Sequence, residues 1–457
     1  MTSVLLIYPF FLPRSDRSVF RFPPLGIGYI AAALEQEGHQ VHLIDCTFRK
    51  RREALQEALA VGADVVGLYC MVTMVDDCLW FADHLRPTSR LLVAGGPLPT
   101  CDPLPFLEHF DVVVRGEGER TVCEVLRGWS RGADLAQVQG IVLRNAQGAG
   151  PETKPKTTFA ADRTFEADLD ALPRPARHLL PNADYMRHGK KKYAYSISSV
   201  MSIRGCPYRC EFCSNVVFGG SYRERSPEKV VDEVEEVLGL GYDRISFADD
   251  VFTLRKERVL KICAEIRRRN LDFRWECLGR VDALDEPTAL EMKKAGCTRI
   301  YFGIESGSQP ILDQMNKKTT PQEARRAVEV ARRAGLQVGA FFILCYPGDT
   351  DDTVLATLQF AASLPLDYLG LTMPYPLPGT ALYDRVRNRV IRAWRPEESL
   401  LTSHVLTFDA DFSELKMWFA ILKGQAEFQI RRRAGRMAPT ILGFFRPVTD
   451  AVFRLMR

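Results

Sequence analysis

The stretch RGCPYRCEFCSN, residues 204–215, places Cys206, Cys210 and Cys213 close together, with three and then two residues between them. It follows YSISSVMSIRG (195–205), which has the apolar character of a buried strand. Thiolates hold iron–sulfur clusters, and three of them on one loop can bind three corners of a 4Fe–4S cube. The fourth iron would then be open to a small molecule that carries an amino and a carboxylate group.

Two other uses of clustered cysteines fit this loop less well. A closed zinc site needs a fourth Cys or His at short spacing, but His188 lies upstream and the next cysteine is Cys263. A redox dithiol needs two thiols and leaves Cys206 without a role. The remaining cysteines stand singly in mostly apolar surroundings and are predicted to be buried, inert side chains: Cys46, Cys70, Cys78, Cys101, Cys123, Cys263, Cys277, Cys297 and Cys345.

Composition narrows the class of protein. The chain has 457 residues, of which 46% are hydrophobic and 26% charged, and a net charge of +4 that is too weak to indicate a nucleic-acid partner. No run of eighteen apolar residues occurs, so no membrane-spanning helix is predicted. The start, MTSVLLIYPFFLPR, lacks the features of a signal peptide and favours a buried strand. We therefore expect a cytoplasmic protein with reduced thiols.

The first part of the chain, residues 1–139, alternates apolar runs with helical patterns such as 25–39. This alternation predicts a Rossmann-like α/β domain with a parallel sheet covered on both faces. The carboxyl ends of its strands would gather Asp45, Tyr69, Thr73 and the loops 95–100 and 116–121. The predicted strands are 4–10, 41–46, 63–70, 90–96 and 111–116.

The rest of the chain divides into three predicted regions. Residues 140–192 are rich in Pro, Gly and charge and are interpreted as a linker. Residues 193–390 resume the alternation and predict a partial barrel of six β/α units, and 391–457 predict a helical extension. The predicted barrel strands are 195–205, 244–250, 273–280, 298–307, 337–348 and 367–376, and two of the helices are 227–241 and 320–335.

The three cysteines at the end of the first barrel strand, with Phe212 before the last of them, resemble the loop of the radical S-adenosylmethionine (SAM) enzymes. The resemblance implies that Cys206, Cys210 and Cys213 ligate a 4Fe–4S cluster. It also implies reductive cleavage of SAM to methionine and a 5′-deoxyadenosyl radical, which abstracts hydrogen from a small-molecule substrate.

Later segments extend this resemblance. FADD (247–250), with Asp249 and Asp250, is similar to the second-strand segment that approaches the SAM amino group. In GRVD (279–282) Arg280 would meet the carboxylate. GIESGSQPIL (303–312) is similar to the fourth-strand segment near the ribose and contributes Glu305 and Ser306. FFILCYPGDT (341–350) resembles the segment that passes the adenine. Each carboxylate taken alone is more often a solvated loop charge or a helix cap. The common placement at strand ends favours a site role for Glu305 and Asp249.

The front domain resembles the cobalamin-binding domain that often precedes this barrel. The matching segments are 21–45, 93–100 and 112–121. The resemblance implies a cobalamin site, for which glycines would allow close backbone approach; its predicted residues are Tyr69, Thr73, Gly95, Gly96, Gly116, Glu117 and Gly118. These glycines would also suit the turns of a Rossmann-like fold without a cofactor. Cobalamin domains that ligate cobalt use Asp-x-His-x-x-Gly, whereas here Thr47 replaces the histidine and Lys50 the glycine.

Several functions follow from the paired domains. The leading hypothesis is a cobalamin-dependent C-methyltransferase of antibiotic or other specialised biosynthesis, reduced by a donor such as flavodoxin or ferredoxin. The alternative, favoured by Thr47, is a cobalamin-independent diol dehydratase acting on an aminoglycoside sugar with a reductase partner. Ring formation or contraction and a non-catalytic iron–sulfur or cobalamin-carrying protein remain as further alternatives.

The basic, aromatic stretch 428–457 has seven arginines and one acid. It could lie on an anionic membrane surface, but packing of its apolar side over the barrel is the preferred interpretation.

Overall fold

The computed structural model describes residues 2–12, 21–145, 156–391 and 407–456. Parts of the predicted linker (146–155) and of the predicted helical extension (392–406) therefore lie outside the described residues. The chain divides into two compact units. The first runs to Ser199 and includes 214–225, and the second takes in 200–213 and the described residues from Ser226 onward.

The first unit contains a seven-stranded sheet of order β2-β1-β3-β4-β5-β6-β7, in which β1 to β5 are parallel and β6 and β7 antiparallel. Its strands are β1 Ser3–Tyr8, β2 Gln40–Asp45, β3 Val65–Tyr69, β4 Leu91–Gly95, β5 Val112–Val114, β6 Ile141–Asn145 and β7 Lys156–Phe159.

Helices cover both faces of this sheet. Because successive side chains of a strand point to opposite faces, Leu5 and Ile7 of β1 enter one apolar core and Val4 and Leu6 the other. The continuous apolar runs of the sequence are thus explained by burial on two sides, and the predicted Rossmann-like fold is confirmed. The helices of this unit are α1 Leu25–Gln36, α2 Arg51–Val61, α3 Val75–Leu85, α4 Pro97–Cys101, α5 Glu119–Ser130 and α6 Asn182–Tyr193.

The predicted linker contains more structure than its composition indicates. Strands β6 and β7 pair with each other and extend the first sheet, and helix α6 ends the region. Ile141, Val142 and Leu143 are buried because they continue the apolar faces of the sheet. The prediction of a linker rested on the many Gly, Pro and charged residues around this short apolar run.

The second unit is built on a six-stranded sheet of order β15-β14-β13-β12-β11-β8, as expected for a partial barrel. The neighbours from β11 to β15 are parallel. The units divide inside β8, after Ser199. Strands from this part of the chain are β8 Ile197–Val200, β9 Ile203–Arg204, β10 Arg223–Glu224, β11 Arg244–Phe247, β12 Arg274–Gly279, β13 Cys297–Glu305, β14 Gln337–Ile343 and β15 Tyr368–Thr372.

Helices separate the strands of this sheet, and their starts are marked by hydroxyl caps. Thr320 and Glu323 form a reciprocal capping box at the start of α11, and Ser226 caps α7. The helices are α7 Pro227–Gly239, α8 Lys256–Arg268, α9 Glu286–Lys294, α10 Gln309–Gln314, α11 Pro321–Arg333, α12 Asp351–Ser363 and α13 Ala381–Val386.

The chain ends in two helices, α14 Glu414–Ala434 and α15 Ala438–Leu455, which confirms the predicted helical extension over these residues. Helix α14 packs against α12 and β15, and α15 packs mainly against α14. Buried Glu427 joins the last two helices because it accepts hydrogen bonds from Lys423 of α14 and Arg446 of α15. Within the described ranges, no helix combines the length and apolar character needed to cross a bilayer.

Candidate active site

The cysteine loop begins where β9 ends, at the edge formed by the carboxyl ends of the barrel strands. Cys206 and Cys210 are half-buried and Cys213 is exposed. The Cys213 N–H donates a hydrogen bond of 3.1 Å to the Cys210 carbonyl, which closes a tight turn. This turn keeps the backbones of the second and third cysteines close together.

Glu211, between the second and third cysteines, fixes this loop to three other elements. Its N–H donates to the Met315 carbonyl at 3.0 Å, and its carbonyl accepts from the Leu382 N–H at 2.9 Å. Its carboxylate accepts from the Tyr346 hydroxyl at 3.0 Å and from Arg385 at 3.1 Å. The sequence analysis did not single out Glu211, because its partners lie more than a hundred residues away.

The electrostatic surroundings of the thiols are mixed. Burial raises the pKa of Cys206 and of Cys210, while the cations Lys317 and Arg280 act in the opposite direction at Cys210. Burial raises the pKa of Cys213 to about 12, and negative charge on Asp250, Cys210 and Cys206 acts in the same direction, so the three thiols interact with one another. Among the residues that the structure describes, no group of three or more Cys, His, Asp or Glu side chains is arranged as a preformed metal site. The three soft donors still fit iron–sulfur ligation by their chemistry.

A buried ion pair lies at the end of β13. Lys317 Nζ donates to Glu305 Oε1 at 2.9 Å, and each side chain is only 9% exposed. Burial lowers the pKa of Lys317, but the Glu305 and Cys210 charges outweigh it and the pKa is raised. Glu305 has a φ of 70° and follows an irregular register with β14, so its backbone turns in a way that non-glycine residues rarely adopt. A Cβ on Gly303 would come within 2.3 Å of Glu305 Oε1, so glycine leaves the space for this pair.

Lys317 is a site residue that the sequence analysis missed. Its Nζ lies 5.8 Å from the centroid of the Phe212 ring, next to the last cysteine of the loop. In the sequence it belongs to the polar run MNKKTT (315–320), which has the appearance of a solvated loop. A useful signal was available in retrospect, because a buried carboxylate such as Glu305 requires a compensating cation.

The two aspartates after β11 have different environments. Asp249 is buried and accepts hydrogen bonds from the Ser202 N–H at 2.6 Å, the Ile203 N–H at 3.0 Å and the Ser202 hydroxyl. Burial raises the pKa of Asp249, against the attraction of Arg258. Its carboxylate thus braces the backbone that leads into the cysteine loop, whereas Asp250 is exposed and is the accessible member of the pair.

Arg280 also supports the cysteine loop. Its guanidinium donates to both Asp282 oxygens, at 2.9 and 3.0 Å, and to the Lys317 carbonyl at 3.0 Å. The same group stacks 3.5 Å from the centroid of the Tyr208 ring, inside the loop. The residue is 4% exposed, so it holds the loop, Asp282 and the segment of Lys317 together.

Ser306 faces the neighbouring helix. Its hydroxyl lies 3.0 Å from the Thr357 hydroxyl of α12 and accepts from the Ser308 N–H at 3.1 Å. The Gly307 N–H also donates to Thr357, at 3.0 Å. Ser306 therefore fixes the turn after Glu305, and its polar atoms are engaged inside the unit.

In the first unit the predicted cofactor residues lie at one edge of the sheet. Tyr69 ends β3 and Thr73 lies in the turn that follows it. Gly95 ends β4, and Gly96 has a φ of 111° with its Cα so close to β3 that a Cβ would lie 2.6 Å from the Cys70 carbonyl oxygen.

Thr100 links the two glycine loops of this edge. Its hydroxyl donates to the Gly96 carbonyl at 2.8 Å and accepts from the Gly116 N–H at 3.1 Å. A Cβ on Gly118 would lie 2.8 Å from the Ile30 side chain of α1. The edge therefore carries half-exposed glycines, of which Gly96 and Gly118 lie tightly against neighbouring elements.

Glu117 is part of a buried ion pair. Its two oxygens accept from Arg223 at 2.8 and 2.9 Å, and Oε2 also accepts from the Glu166 N–H at 2.9 Å. This carboxylate is thus engaged within the first unit, and the glycines on either side of it form the accessible part of the loop.

The position where cobalt-ligating domains carry histidine is occupied by a hydroxyl network. Thr47 donates to Asp45 Oδ1 through its N–H at 2.9 Å and through its hydroxyl at 2.6 Å. The Tyr185 hydroxyl, from α6, donates to Asp45 Oδ2 at 2.7 Å. The loop after β2 is therefore a closed hydrogen-bonded structure in which Thr47 has a structural partner.

The fold, the three-cysteine loop and the glycine loops of the first sheet together define the class of protein. It is an iron–sulfur radical barrel preceded in the chain by a Rossmann-like domain of the cobalamin-binding type. Residues 16–126 match the B12 binding domain, and residues 200–361 match the radical SAM superfamily. An uncharacterized methyltransferase of Pyrococcus horikoshii is 33% identical over 390 residues, which cover 82% of this chain and 81% of the relative.

Two further comparisons describe the breadth of this similarity. The anaerobic magnesium-protoporphyrin IX monomethyl ester cyclase of Cereibacter sphaeroides is 27% identical over 85% of this chain and 64% of the relative. The structure of the radical SAM methyltransferase TsrM from Kitasatospora setae, with cobalamin and a [4Fe-4S] cluster bound, superposes with a TM-score of 0.71 at 21% identity, covering 85% of this chain and 75% of that one. The chain belongs to the family of radical SAM enzymes with a B12-binding domain.

Family membership identifies the cofactors as a 4Fe–4S cluster, SAM and cobalamin. When bound, these groups supply the electron, the radical and the cobalt chemistry of the reaction. The residues of this chain hold the cysteine loop through Glu211, Arg280 and Asp249, and keep a charged pair, Glu305 and Lys317, beside it.

Proposed function

We propose that this enzyme is a cobalamin-dependent C-methyltransferase that methylates an unactivated carbon of a small molecule in antibiotic or other specialised biosynthesis. The observation that supports it most is the union, in one chain, of the three-cysteine loop with a B12-type sheet edge lined by glycines. Similarity to a relative named as a methyltransferase over four fifths of both chains supports the same reaction.

We also propose roles for the site residues. Cys206, Cys210 and Cys213 ligate the cluster, and Asp250 and Glu305 contact the amino and ribose portions of SAM. Lys317 holds the Glu305 carboxylate in place, since a buried charge is stable only when it is paired. Arg280 and Asp249 position the loop, because their polar groups are already engaged.

At the front domain, we propose that Tyr69, Thr73, Gly95, Gly96, Gly116 and Gly118 border the cobalamin, with Glu117 holding their loop through Arg223. No imidazole follows β2, so any lower ligand to cobalt would come from elsewhere than the loop of Thr47. The electron donor is proposed to be flavodoxin or ferredoxin.

The dehydratase alternative depends on Thr47 alone. Because Thr47 has hydrogen-bond partners of its own, the absence of histidine there is compatible with a functional front domain. Ring formation is a second candidate reaction, since one relative is named as a cyclase.

The decisive experiment is product analysis of the anaerobically reconstituted enzyme with cobalamin, a reductant and candidate substrates. The proposal predicts both 5′-deoxyadenosine and S-adenosylhomocysteine, and a product heavier by one methyl group. If 5′-deoxyadenosine forms with substrate but S-adenosylhomocysteine never does, methyl transfer is wrong.

Cys210→Ala tests the cluster assignment in the same assay. The variant should lose the visible absorption of the cluster and all SAM cleavage, because two thiolates cannot hold a cube that needs three. Cys101→Ala, at a half-buried cysteine of the first unit, is the matched control and should retain both. An active Cys210→Ala enzyme without cluster absorption would refute the assignment.

A further inference from the structure

Helix α15 exposes an apolar stripe along one side. Phe444 is 78% exposed, Val448 65% and Leu455 83%, and Ile441 and Val452 are also exposed. Their spacings of three and four residues place them on one face of the helix. From residue 441 to residue 455 the stripe extends over roughly 21 Å, which is long for an apolar surface in contact with water.

The opposite face of α15 is its packing face. Ala438, Leu442 and Phe453 are buried, and the helix packs against α14. Arg446 and Asp450 of α15 form ion pairs with Glu427 and Lys423 of α14. The helix is thus held from one side, and the stripe on the other side does not contribute to the core of the chain.

The charge around the stripe is positive. Arg431, Arg432 and Arg433 are exposed in the last turn of α14, and Arg436 is exposed in the turn that leads into α15. None of the four forms an ion pair with a described acidic residue. Asp450, the one acid within α15, is directed to Lys423. An exposed apolar stripe beside unpaired arginines is the pattern of a helix that lies in the interface of an anionic membrane.

We propose that α15 docks on an anionic phospholipid surface, with its apolar stripe inserted among the acyl chains and Arg431, Arg432, Arg433 and Arg436 contacting lipid phosphates. A second copy of the chain is a poorer occupant, since it would bring an identical set of arginines to the same contact. The sequence pattern favours packing of the apolar side of this stretch over the barrel. One face of α15 does pack, against α14, and the stripe on the other face is exposed.

Vesicle co-sedimentation of the reconstituted full-length enzyme tests this proposal. Vesicles of phosphatidylcholine with phosphatidylglycerol should bind at least tenfold more enzyme than phosphatidylcholine alone, and high salt should reduce the difference. Phe444→Ser combined with Val448→Ser should weaken binding at least tenfold. Changing arginines 431, 432, 433 and 436 to glutamine should weaken it by about fivefold for each residue. Leu104→Ser, at an exposed leucine of the first unit, is the control and should bind like the wild type.

Circular dichroism and the cluster absorption show whether each variant is folded. Equal binding to neutral and anionic vesicles would overturn the proposal, and so would no binding to either. Concentration-dependent dimerisation that Phe444→Ser abolishes, with no vesicle binding, would identify the stripe as an interface between copies instead. Vesicle binding and product analysis are separate measurements, so either this proposal or the proposed reaction can fail alone.

Discussion

Lys317→Met is expected to destabilise the end of β13 and the segment that follows it. Methionine has about the length of lysine without its charge, so the substitution preserves the packing volume. It leaves the buried Glu305 carboxylate without its ion-pair partner. A buried charge without a partner is unstable, and the carboxylate must either take up a proton or draw water into the site.

The size of the effect follows from the burial of both side chains. At pH of about 7.5, protonating a carboxyl whose reference pKa is about 4.3 costs about 4 kcal/mol, at about 1.4 kcal/mol for each pH unit. Removal of one partner from a buried ion pair typically costs about 3–5 kcal/mol. We therefore expect a loss of about 3–4 kcal/mol, which corresponds to a several-hundredfold faster exchange of protected amides.

Hydrogen–deuterium exchange of peptides from 297–320 measures this loss locally, and SAM-dependent formation of 5′-deoxyadenosine measures its effect on the site. Lys318→Met, at the exposed neighbouring lysine, is the matched control and should change exchange little. Glu305→Gln with Lys317→Met should recover most of the protection because no charge remains unpaired. A loss below about 1 kcal/mol in Lys317→Met, or no recovery in the double variant, would contradict the reasoning.

Two further predictions concern buried charge elsewhere in the second unit. Burial raises the pKa of Asp349 to about 6. Its folded pKa thus exceeds the unfolded value, so the stabilisation is present at low pH and is lost as pH rises toward 6. The urea midpoint of the wild type should consequently fall relative to Asp349→Asn between pH 4 and 7, and a constant difference would contradict this assignment. Glu427→Leu should cost about 3 kcal/mol, because Arg446 loses its partner and the fully buried Lys423 keeps only Asp450. Limited trypsin digestion should then release the last helix earlier, whereas Glu329→Gln, at an exposed position of α11, should digest like the wild type. Equal digestion of both variants would show that the pair is dispensable.

The sequence predicted the features that local pattern determines. Apolar runs predicted β1 to β5 of the first sheet and the strands of the second sheet to within a few residues, because a parallel strand buried on two faces must be apolar throughout. The cysteine spacing located the loop correctly at the end of a strand.

Features that depend on tertiary contacts could not be predicted from the sequence. Asp249 could not be distinguished from Asp250 until the partners at Ser202 and Ile203 were known. Lys317 lies in a polar turn whose composition is typical of a solvated loop. The strands β6 and β7 were concealed because an antiparallel extension adds only a few apolar residues to a Pro- and Gly-rich region.

The membership of β6, β7 and α6 in the first unit matters for protein engineering. A chimera that exchanged the front domain at residue 139 would remove β6 and β7 from the sheet. The strand Val112–Val114 would then be an unpaired edge strand, which is prone to aggregation. The same exchange would also remove the Tyr185 phenol from Asp45. A crossover placed after Tyr193 keeps β6, β7 and α6 with the donor domain and preserves the contact between Tyr185 and Asp45. Because Arg223 pairs with Glu117 inside the same unit, residues 214–225 should be taken from the donor as well.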